Sequence, residues 1–224
     1  MLKPTHHTTP FQKTAYYSTL GTPDKKVKYL WIICHGYGQL AKHIIHKFST
    51  IASDEHFFVA PEGLSRFYWN EAKGQIGASW MTSEDRLNEI EDYSNWLQQI
   101  HNQFKPLCHK EVKIIGFGFS QGVATIWRWM MAHKPKLNSV VMWAGMTPED
   151  LDYKPHLAYL SHINIQLIIG DADQFLDEKY MQAQLTLEQE QGLNIRHHSF
   201  EGKHEIDRKV LSLLKDEFLE TVIV

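Results

Sequence analysis

Short apolar runs alternate along the chain with longer segments in which apolar residues recur every three or four positions. Such runs predict buried strands, and the alternation is typical of a mostly parallel sheet with helices on both faces. The predicted strands cover residues 29–34, 56–60, 112–117, 139–143, 165–169 and 195–200. The pattern therefore predicts an α/β fold with six core strands.

The segments between these runs have helical periodicity. They predict helices over residues 40–54, 83–104, 120–133, 178–192 and 205–220. The second is the clearest, because an apolar stripe at three- and four-residue steps follows Ser83, the predicted N-cap. That stripe comprises Leu87, Ile90, Tyr93 or Ser94, Leu97 and Ile100. Gly192 is expected to end the fourth helix.

Two further segments complete the predicted organisation. Apolar and polar residues alternate over residues 13–20, which predicts an edge strand. We expect this strand to pair antiparallel with its neighbour. Residues 61–81 form a long connection with three glycines and several aromatic residues, and such loops are usually functional or mobile. No internal repeat and no linker divides the sequence, so we predict a single domain over residues 1–224.

The charges nearly balance, at 23 Lys plus Arg against 26 Asp plus Glu, and no basic run is present. We therefore expect no nucleic-acid partner. The first residues lack the features of a signal peptide, and the apolar runs are too short to cross a bilayer, so we expect a cytoplasmic protein with no membrane span. Cys34 and Cys108 are too few to predict a disulfide framework.

Fourteen histidines are unusual for this length and raise the question of a metal site. The closest groupings are His6 with His7, His43 with His46, and His197 with His198. None has a cysteine or acidic partner at a recognised ligand spacing, and the HExxH motif is absent. We therefore expect surface histidines and no metal.

The strongest local motif is the sequence Gly-Phe-Ser-Gln-Gly over residues 118–122. It stands where a strand should end and a helix begin, the context of the G-x-S-x-G nucleophile elbow. Small residues are needed two positions before and two positions after the serine, where Gly118 and Gly122 stand, because larger ones would collide with the adjacent strand and helix. Ser120 is the candidate nucleophile. The alternative interpretation is tight strand–helix packing alone, as in many nucleotide-binding turns.

A serine nucleophile requires a base and an orienting acid, which after an elbow should follow in the order acid, then histidine. Three aspartates follow the predicted strand 165–169. Asp173 is the preferred acid because it lies within the loop, whereas Asp171 directly follows the strand and is suited to bonding backbone N–H groups. Asp177 is the expected cap of the next helix.

His204 is the candidate base, since it follows the last predicted strand, whereas His197 and His198 lie within that strand. The sequence CHGYG provides a second donor for an oxyanion hole. We expect the backbone N–H groups of Tyr37 and Gln121 to be the donors, with Gly38 the alternative to Tyr37. His35 is expected to be a structural hydrogen-bonding residue.

The order and spacing of CHGYG, GFGFSQG, GDADQFL and GKHEI resemble the small serine esterases of the α/β-hydrolase superfamily, especially the carboxylesterase and acyl-protein thioesterase branch. The resemblance implies an α/β-hydrolase fold with a minimal lid or none, and it matches Ser120, Asp173 and His204 to the triad. Three features differ from the family pattern. The segment after the acid reads Phe175-Leu176-Asp177, where the family often has Val-Pro. Gln39 stands where an aspartate is usual, and residues 66–81 do not match the expected segment.

The sequence thus predicts a serine hydrolase that cleaves a small-molecule ester or thioester through an acyl-enzyme, without a cofactor. Aromatic residues of the 61–81 loop and the acid loop are candidates for the substrate pocket, although some could equally be core. These candidates are Phe67, Tyr68, Trp69, Trp80 and Phe175. The alternatives are a peptidase on the same scaffold and a catalytically silent binding protein. The choice between ester and thioester and the oligomeric state are left open.

Overall fold

A computed structural model describes residues 3–69 and 73–220. Its strands are β1 (Tyr17–Leu20), β2 (Tyr29–Cys34), β3 (His56–Pro61), β4 (Ser65–Tyr68), β5 (Ile76–Ser79), β6 (Lys113–Phe119), β7 (Ser139–Trp143), β8 (Asn164–Gly170) and β9 (Arg196–Phe200). Its helices are α1 (Ala41–Ile44), α2 (Arg86–Phe104), α3 (Gln121–His133), α4 (Leu157–Leu160), α5 (Glu178–Gln191) and α6 (Arg208–Phe218). Short 3₁₀ turns cover Ile45–Ile51, Lys105–Leu107 and Lys154–His156.

The central sheet has seven strands in the order β1-β3-β2-β6-β7-β8-β9. All neighbours pair in parallel except β1, which pairs antiparallel with β3. One apolar cluster packs α2 and α3 on one face, and a second packs the 3₁₀ turn Ile45–Ile51 and α6 on the other. The predicted mostly parallel sheet with helices on both faces is confirmed, and the edge strand pairs antiparallel as expected.

The last strand differs from its prediction as a core strand. β9 lies at the edge of the sheet with β8 as its only strand neighbour, and its side chains are exposed or half-buried. The polar sequence of this strand explains the position, because Arg196, His197 and Ser199 would carry a desolvation cost on a doubly covered strand. The first strand is also shorter than predicted, covering only Tyr17–Leu20 of residues 13–20.

Two predicted helices are shorter in the structure. The segment 40–54 forms only the four residues of α1 before it tightens into the 3₁₀ turn Ile45–Ile51. There the hydroxyls of Ser49 and Thr50 donate to the backbone carbonyls three residues earlier, a contact that competes with regular helical geometry. The last helix begins only at Arg208, because the Asp207 side chain caps it by accepting two backbone N–H groups.

The long helix α2 begins at Arg86, three residues later than predicted from Ser83. Its N-cap is Asp85, which adopts a left-handed conformation with φ +51°. The predicted apolar stripe is correct except at its first member, since Leu87 is 77% exposed whereas Leu97 is fully buried. Leu87 lies in the first turn of the helix, which extends beyond the edge of the core.

The connection over residues 61–81 contains secondary structure that the sequence did not predict. Strands β4 and β5 form an antiparallel pair in which Ser65 lies opposite Ser79 and Tyr68 opposite Ile76. Residues 70–72 of this connection lie outside the described part of the chain. The pair forms a separate two-stranded sheet.

Two tryptophans of α3 and both cysteines lie in the core. Trp127 and Trp129 of α3 are fully buried, so neither is available as a surface contact. Cys34 and Cys108 are buried free thiols. No helix among residues 3–69 and 73–220 is long and apolar enough to cross a membrane.

Two histidines are buried as neutral hydrogen-bond acceptors. His56 Nδ1 accepts the indole N–H of Trp31 at 3.0 Å, and His35 Nε2 accepts the backbone N–H of Gly63 at 2.9 Å. Burial lowers the pKa of each from 6.5 to about 4. A proton added to either nitrogen would face an N–H donor, so both rings are neutral in the folded protein at neutral pH.

Replacing Leu97 with alanine is expected to lower the free energy of unfolding by about 2–5 kcal/mol, because it leaves a cavity in the core. Leu87→Ala, on the same helix, should change it by no more than about 0.5 kcal/mol because that side chain is exposed. Urea titrations of the two variants measure the difference. Equal destabilisation by the two variants would contradict the described packing of α2.

The free energy of unfolding is expected to fall as the pH is lowered from about 6.5 to about 4. In this window the unfolded chain binds protons at His35 and His56 that the folded protein does not. His35 accounts for about 3 kcal/mol of the change. Urea titrations at pH 7 and 4.5 should show a smaller difference for His35→Gln than for the wild type. The exposed control His162→Gln should keep the wild-type pH dependence, and an equally steep dependence in His35→Gln would refute the assignment.

Candidate active site

Ser120 stands in a strained turn between strand β6 and helix α3. Its backbone adopts φ +53° and ψ −117°, a conformation that is costly for a residue with a side chain. The two glycines of the motif allow this turn. A Cβ on Gly118 would lie 2.5 Å from the carbonyl oxygen of Gly122, and a Cβ on Gly122 would overlap the carbonyl oxygen of Cys34. The backbone therefore makes the sharp strand-to-helix turn that the motif predicts.

His204 and Asp173 meet although 31 residues separate them in the chain. The Nδ1–H group of His204 donates to Asp173 Oδ2 at 2.7 Å. Asp173 is only 8% exposed, and its Oδ1 accepts the backbone N–H of Phe175 at 2.8 Å. Because Nδ1 carries the proton shared with the carboxylate, Nε2 of the neutral ring is left as the basic nitrogen.

The other two aspartates of this region have separate contacts. Asp171 Oδ1 accepts the backbone N–H of Gly202 at 3.0 Å and so ties the acid loop to the histidine loop. Asp177 caps α5 by accepting the backbone N–H of Tyr180 at 3.1 Å. Of the three carboxylates, only that of Asp173 bonds to His204.

The imidazole of His204 is held between two aromatic rings. Its centroid lies 5.1 Å from that of Phe119, the residue before Ser120, and 4.7 Å from that of Phe175. Between the described side chains of Ser120 and His204 no hydrogen bond is formed. Such contacts are often long in ligand-free enzymes and shorten when substrate binds.

The loop after β2 lies directly beside Ser120. A Cβ on Gly36 would stand 3.3 Å from the Cβ of Ser120. The backbone N–H of Gly38 donates to the carbonyl oxygen of Ala78 at 2.8 Å and is therefore occupied. Within residues 3–69 and 73–220, no acceptor bonds to the backbone N–H of Tyr37 or Gln121. Both groups are therefore free donors in the segments that meet at the serine.

His35 lies behind this loop and is fully buried. Because its Nε2 accepts the N–H of Gly63, its Nδ1 must carry a proton, which it donates to the carbonyl oxygen of Gly36 at 2.8 Å. Both ring nitrogens are thus occupied. His35 supports the loop, in agreement with its expected structural role.

Trp80 is a correction to the predicted pocket. It is only 1% exposed, and its ring packs against His35 with the centroids 4.9 Å apart. Its indole N–H donates to the carbonyl oxygen of His35 at 2.8 Å. Trp80 therefore belongs to the core beneath the loop, where its polar atom is satisfied, and does not form an open pocket wall.

Two of the other predicted pocket residues, Phe67 and Trp69, form an aromatic rim with Tyr37. Phe67 stacks on Tyr37 with centroids 5.1 Å apart, and Trp69 meets Tyr37 edge-on at 5.7 Å. The indole of Trp69 also donates to the carbonyl oxygen of Gly38 at 3.3 Å. Trp69 and Phe175 are 44% and 58% exposed. The sequence had not assigned the Tyr37 side chain to this rim, because it is brought to Phe67 only by the β4–β5 pair.

Gln121 has a second contact that the motif did not reveal. Its side-chain amide donates to the carbonyl oxygen of Met81 at 3.0 Å and accepts the backbone N–H of Trp80 at 3.3 Å. These partners lie about 40 residues earlier in the chain. The side chain thereby joins the end of β5 to the start of α3, and no local sequence signal could have predicted it.

A cavity of about 170 Å³ opens beside His204, and Gln39 and Phe119 contribute to its walls. A larger cavity of about 260 Å³ lies between the N-terminal segment and the start of β4, and it contains none of the triad candidates. Within the described ranges, no three His, Cys, Asp or Glu side chains converge in a way that could hold a metal ion.

Comparison with known proteins places the chain in a family. Residues 16–223 match the family described as Phospholipase/Carboxylesterase. The crystal structure of acyl-protein thioesterase 2 from Zea mays superposes with a TM-score of 0.68 at 19% identity, covering 92% of this chain and 100% of that chain. The Bacillus cereus carboxylesterase superposes with a TM-score of 0.64 at 13% identity, covering 91% and 93%.

Esterase PE8 also superposes, with a TM-score of 0.64 at 19% identity over 92% of this chain and 100% of that chain. No curated protein sequence gives a significant match. At these identities the solved structures establish a shared fold, while the match over residues 16–223 establishes the family. The chain therefore belongs to the phospholipase/carboxylesterase family of α/β-hydrolases.

Proposed function

We propose that this protein is a serine hydrolase that cleaves a carboxylic ester or thioester, with Ser120 as nucleophile, His204 as general base and Asp173 as the orienting carboxylate. One observation carries the proposal. The only described aspartate bonded to His204 is buried, and the ring of His204 lies 5.1 Å from that of Phe119, the residue before a serine held at φ +53°. Packing alone does not require a strained serine and a carboxylate-bound histidine at the same edge of a sheet.

The reaction would begin when His204 Nε2 accepts the hydroxyl proton of Ser120. The freed Oγ attacks the acyl carbonyl carbon, and the π electrons move onto the carbonyl oxygen. When this oxyanion collapses, the bond to the leaving oxygen or sulfur breaks and the leaving group takes the proton from His204. Water, deprotonated by the same histidine, then attacks the acyl carbon. The bond to Ser120 Oγ breaks, Oγ takes the proton back from His204, and the acid is released.

The carboxylate of Asp173 acts through the imidazole. By accepting the Nδ1–H group, it selects the tautomer in which Nε2 is basic, and its negative charge stabilises the imidazolium that forms in each step. The carboxylate itself is held by the backbone N–H of Phe175. It therefore needs no other partner to keep its orientation.

The oxyanion would be stabilised by the free backbone N–H groups of Tyr37 and Gln121. Gln121 is the first residue of the 13-residue helix α3, so its N–H has no partner within the helix, and the helix dipole favours negative charge there. Removing one such donor in a serine hydrolase costs about 10²–10³ in kcat.

The surroundings of the site favour an apolar group on the substrate. The aromatic rim of Tyr37, Phe67 and Trp69 borders the oxyanion loop, and Phe175 borders His204. Rings of this kind offer large apolar surfaces at an open site. Similar folds in an acyl-protein thioesterase and in carboxylesterases support acyl transfer from such substrates.

Ser120→Ala is expected to lower kcat for p-nitrophenyl esters by at least about 10⁴-fold, because no other hydroxyl occupies the elbow. A fluorophosphonate reacts with an activated serine, so it should label the wild type and not the Ser120→Ala variant. Ser212→Ala, an exposed position on α6, is the matched control and should keep both properties. A folded wild type that neither hydrolyses nor labels would overturn the proposal and favour a silent binding protein.

Trp69→Ala is expected to change the preference for acyl-chain length in a series of p-nitrophenyl esters. The free energy of unfolding should change by only about 1 kcal/mol, because the indole is 44% exposed. Tyr68→Ala is the control, since alternation along β4 directs Tyr68 to the face opposite Phe67. A Trp69→Ala profile that matches the wild type would show that the rim does not contact the acyl group.

A further inference from the structure

The peptide group between Gly36 and Tyr37 is held by its carbonyl oxygen. That oxygen accepts Nδ1–H of His35 at 2.8 Å and the backbone N–H of Gln39 at 3.1 Å. A trans peptide is planar, and its N–H points opposite to its C=O. The groups that hold the Gly36 carbonyl therefore also set the direction of the Tyr37 N–H.

Gln39 contacts this turn a second time through its side chain. Its Oε1 accepts the backbone N–H of Gly36 at 3.0 Å, so Gln39 bonds to both the N–H and the C=O of the same residue. Gly36 has no side chain to restrict its backbone angles. Without the amide oxygen, its N–H would lose its partner at a part-buried position and the turn could rotate about the glycine.

The remaining contacts of the loop anchor its far side. Gly38 donates its N–H to Ala78 and accepts the indole N–H of Trp69, so it is tied to the β4–β5 pair. Within the described residues, no other side chain accepts the Gly36 N–H. Gln39 is also uncharged, so it adds no negative charge beside the developing oxyanion.

We propose that Gln39 is a positioning residue of the oxyanion loop, whose amide oxygen holds the Gly36 N–H and thereby directs the Tyr37 N–H toward the acyl oxygen on Ser120. This inference rests on the proposed hydrolase function. Gln39 acts through the loop and does not itself contact the reacting atoms. Its contribution is expected in the transition state, where the oxyanion forms, and not in substrate binding.

Gln39→Met tests the contact, since methionine has nearly the same shape but lacks a strong acceptor. Its kcat for a p-nitrophenyl ester is expected to fall by about tenfold to a hundredfold, while KM stays within about twofold. Gln39→Glu keeps an acceptor oxygen but adds a negative charge beside the oxyanion, so it should recover only part of the loss. Gln189→Met, exposed on α5, is the matched control and should behave as the wild type.

A boronic acid provides a second measurement that does not require turnover, because its tetrahedral adduct on Ser120 mimics the oxyanion. Its inhibition constant should rise in Gln39→Met by the same factor by which kcat/KM falls. If Gln39→Met does not fold, Gln39→Asn tests the same contact, since its shorter amide cannot reach Gly36. Thermal unfolding identifies the folded variants.

The outcomes separate the two proposals. A wild-type kcat in Gln39→Met would overturn the role of Gln39 while leaving the hydrolase intact. A boronic acid inhibition constant in Gln39→Met equal to that of the wild type would also overturn the role of Gln39. A wild type without activity or fluorophosphonate labelling would instead refute the hydrolase function on which the inference rests.

Discussion

The close approach of helix α3 to the end of strand β2 is the constraint on which the site depends. Gly122 lies so near the carbonyl oxygen of Cys34 that no Cβ could fit between them, and Gly118 lies equally close to the helix backbone. This approach leaves Ser120 at φ +53°, half-buried in the turn with the helix N-terminus behind it. The strain in one residue is balanced by the buried contacts of the whole of α3 with the sheet.

The parallel register of the sheet brings the remaining groups to the same edge. Cys34 lies opposite Gly118, so the loop after β2 and the serine turn begin side by side. On the other side, Gly170 lies opposite Phe200, and the acid and histidine loops leave the sheet together. Each loop therefore starts within reach of its neighbour, as is general for the carboxyl ends of parallel strands. The short contact between Asp173 and His204 follows from this register.

Much of the molecule could be predicted from local pattern. The buried strands, the elbow glycines and the loop positions from which Asp173 bonds to His204 and Asp171 to Gly202 all follow from the spacing of residues relative to strand ends. The errors share a physical cause. Leu87 fits a helical stripe but lies beyond the core, and Trp80 belongs to an aromatic loop but packs under His35. Burial depends on which surfaces meet, and periodicity along one segment does not contain that information.

The sequence by itself determined the fold class, the order of the chemical groups and the turn in which Ser120 stands, because these depend on residues that are neighbours in the chain. Only the tertiary structure decided which N–H groups are free beside the serine. The Gly38 N–H is occupied by Ala78, whereas the Tyr37 N–H is not, and this difference arises from the β4–β5 pair some forty residues away. Hydrogen bonds between distant segments are set by how the segments pack together, so they become visible only when the chain is folded.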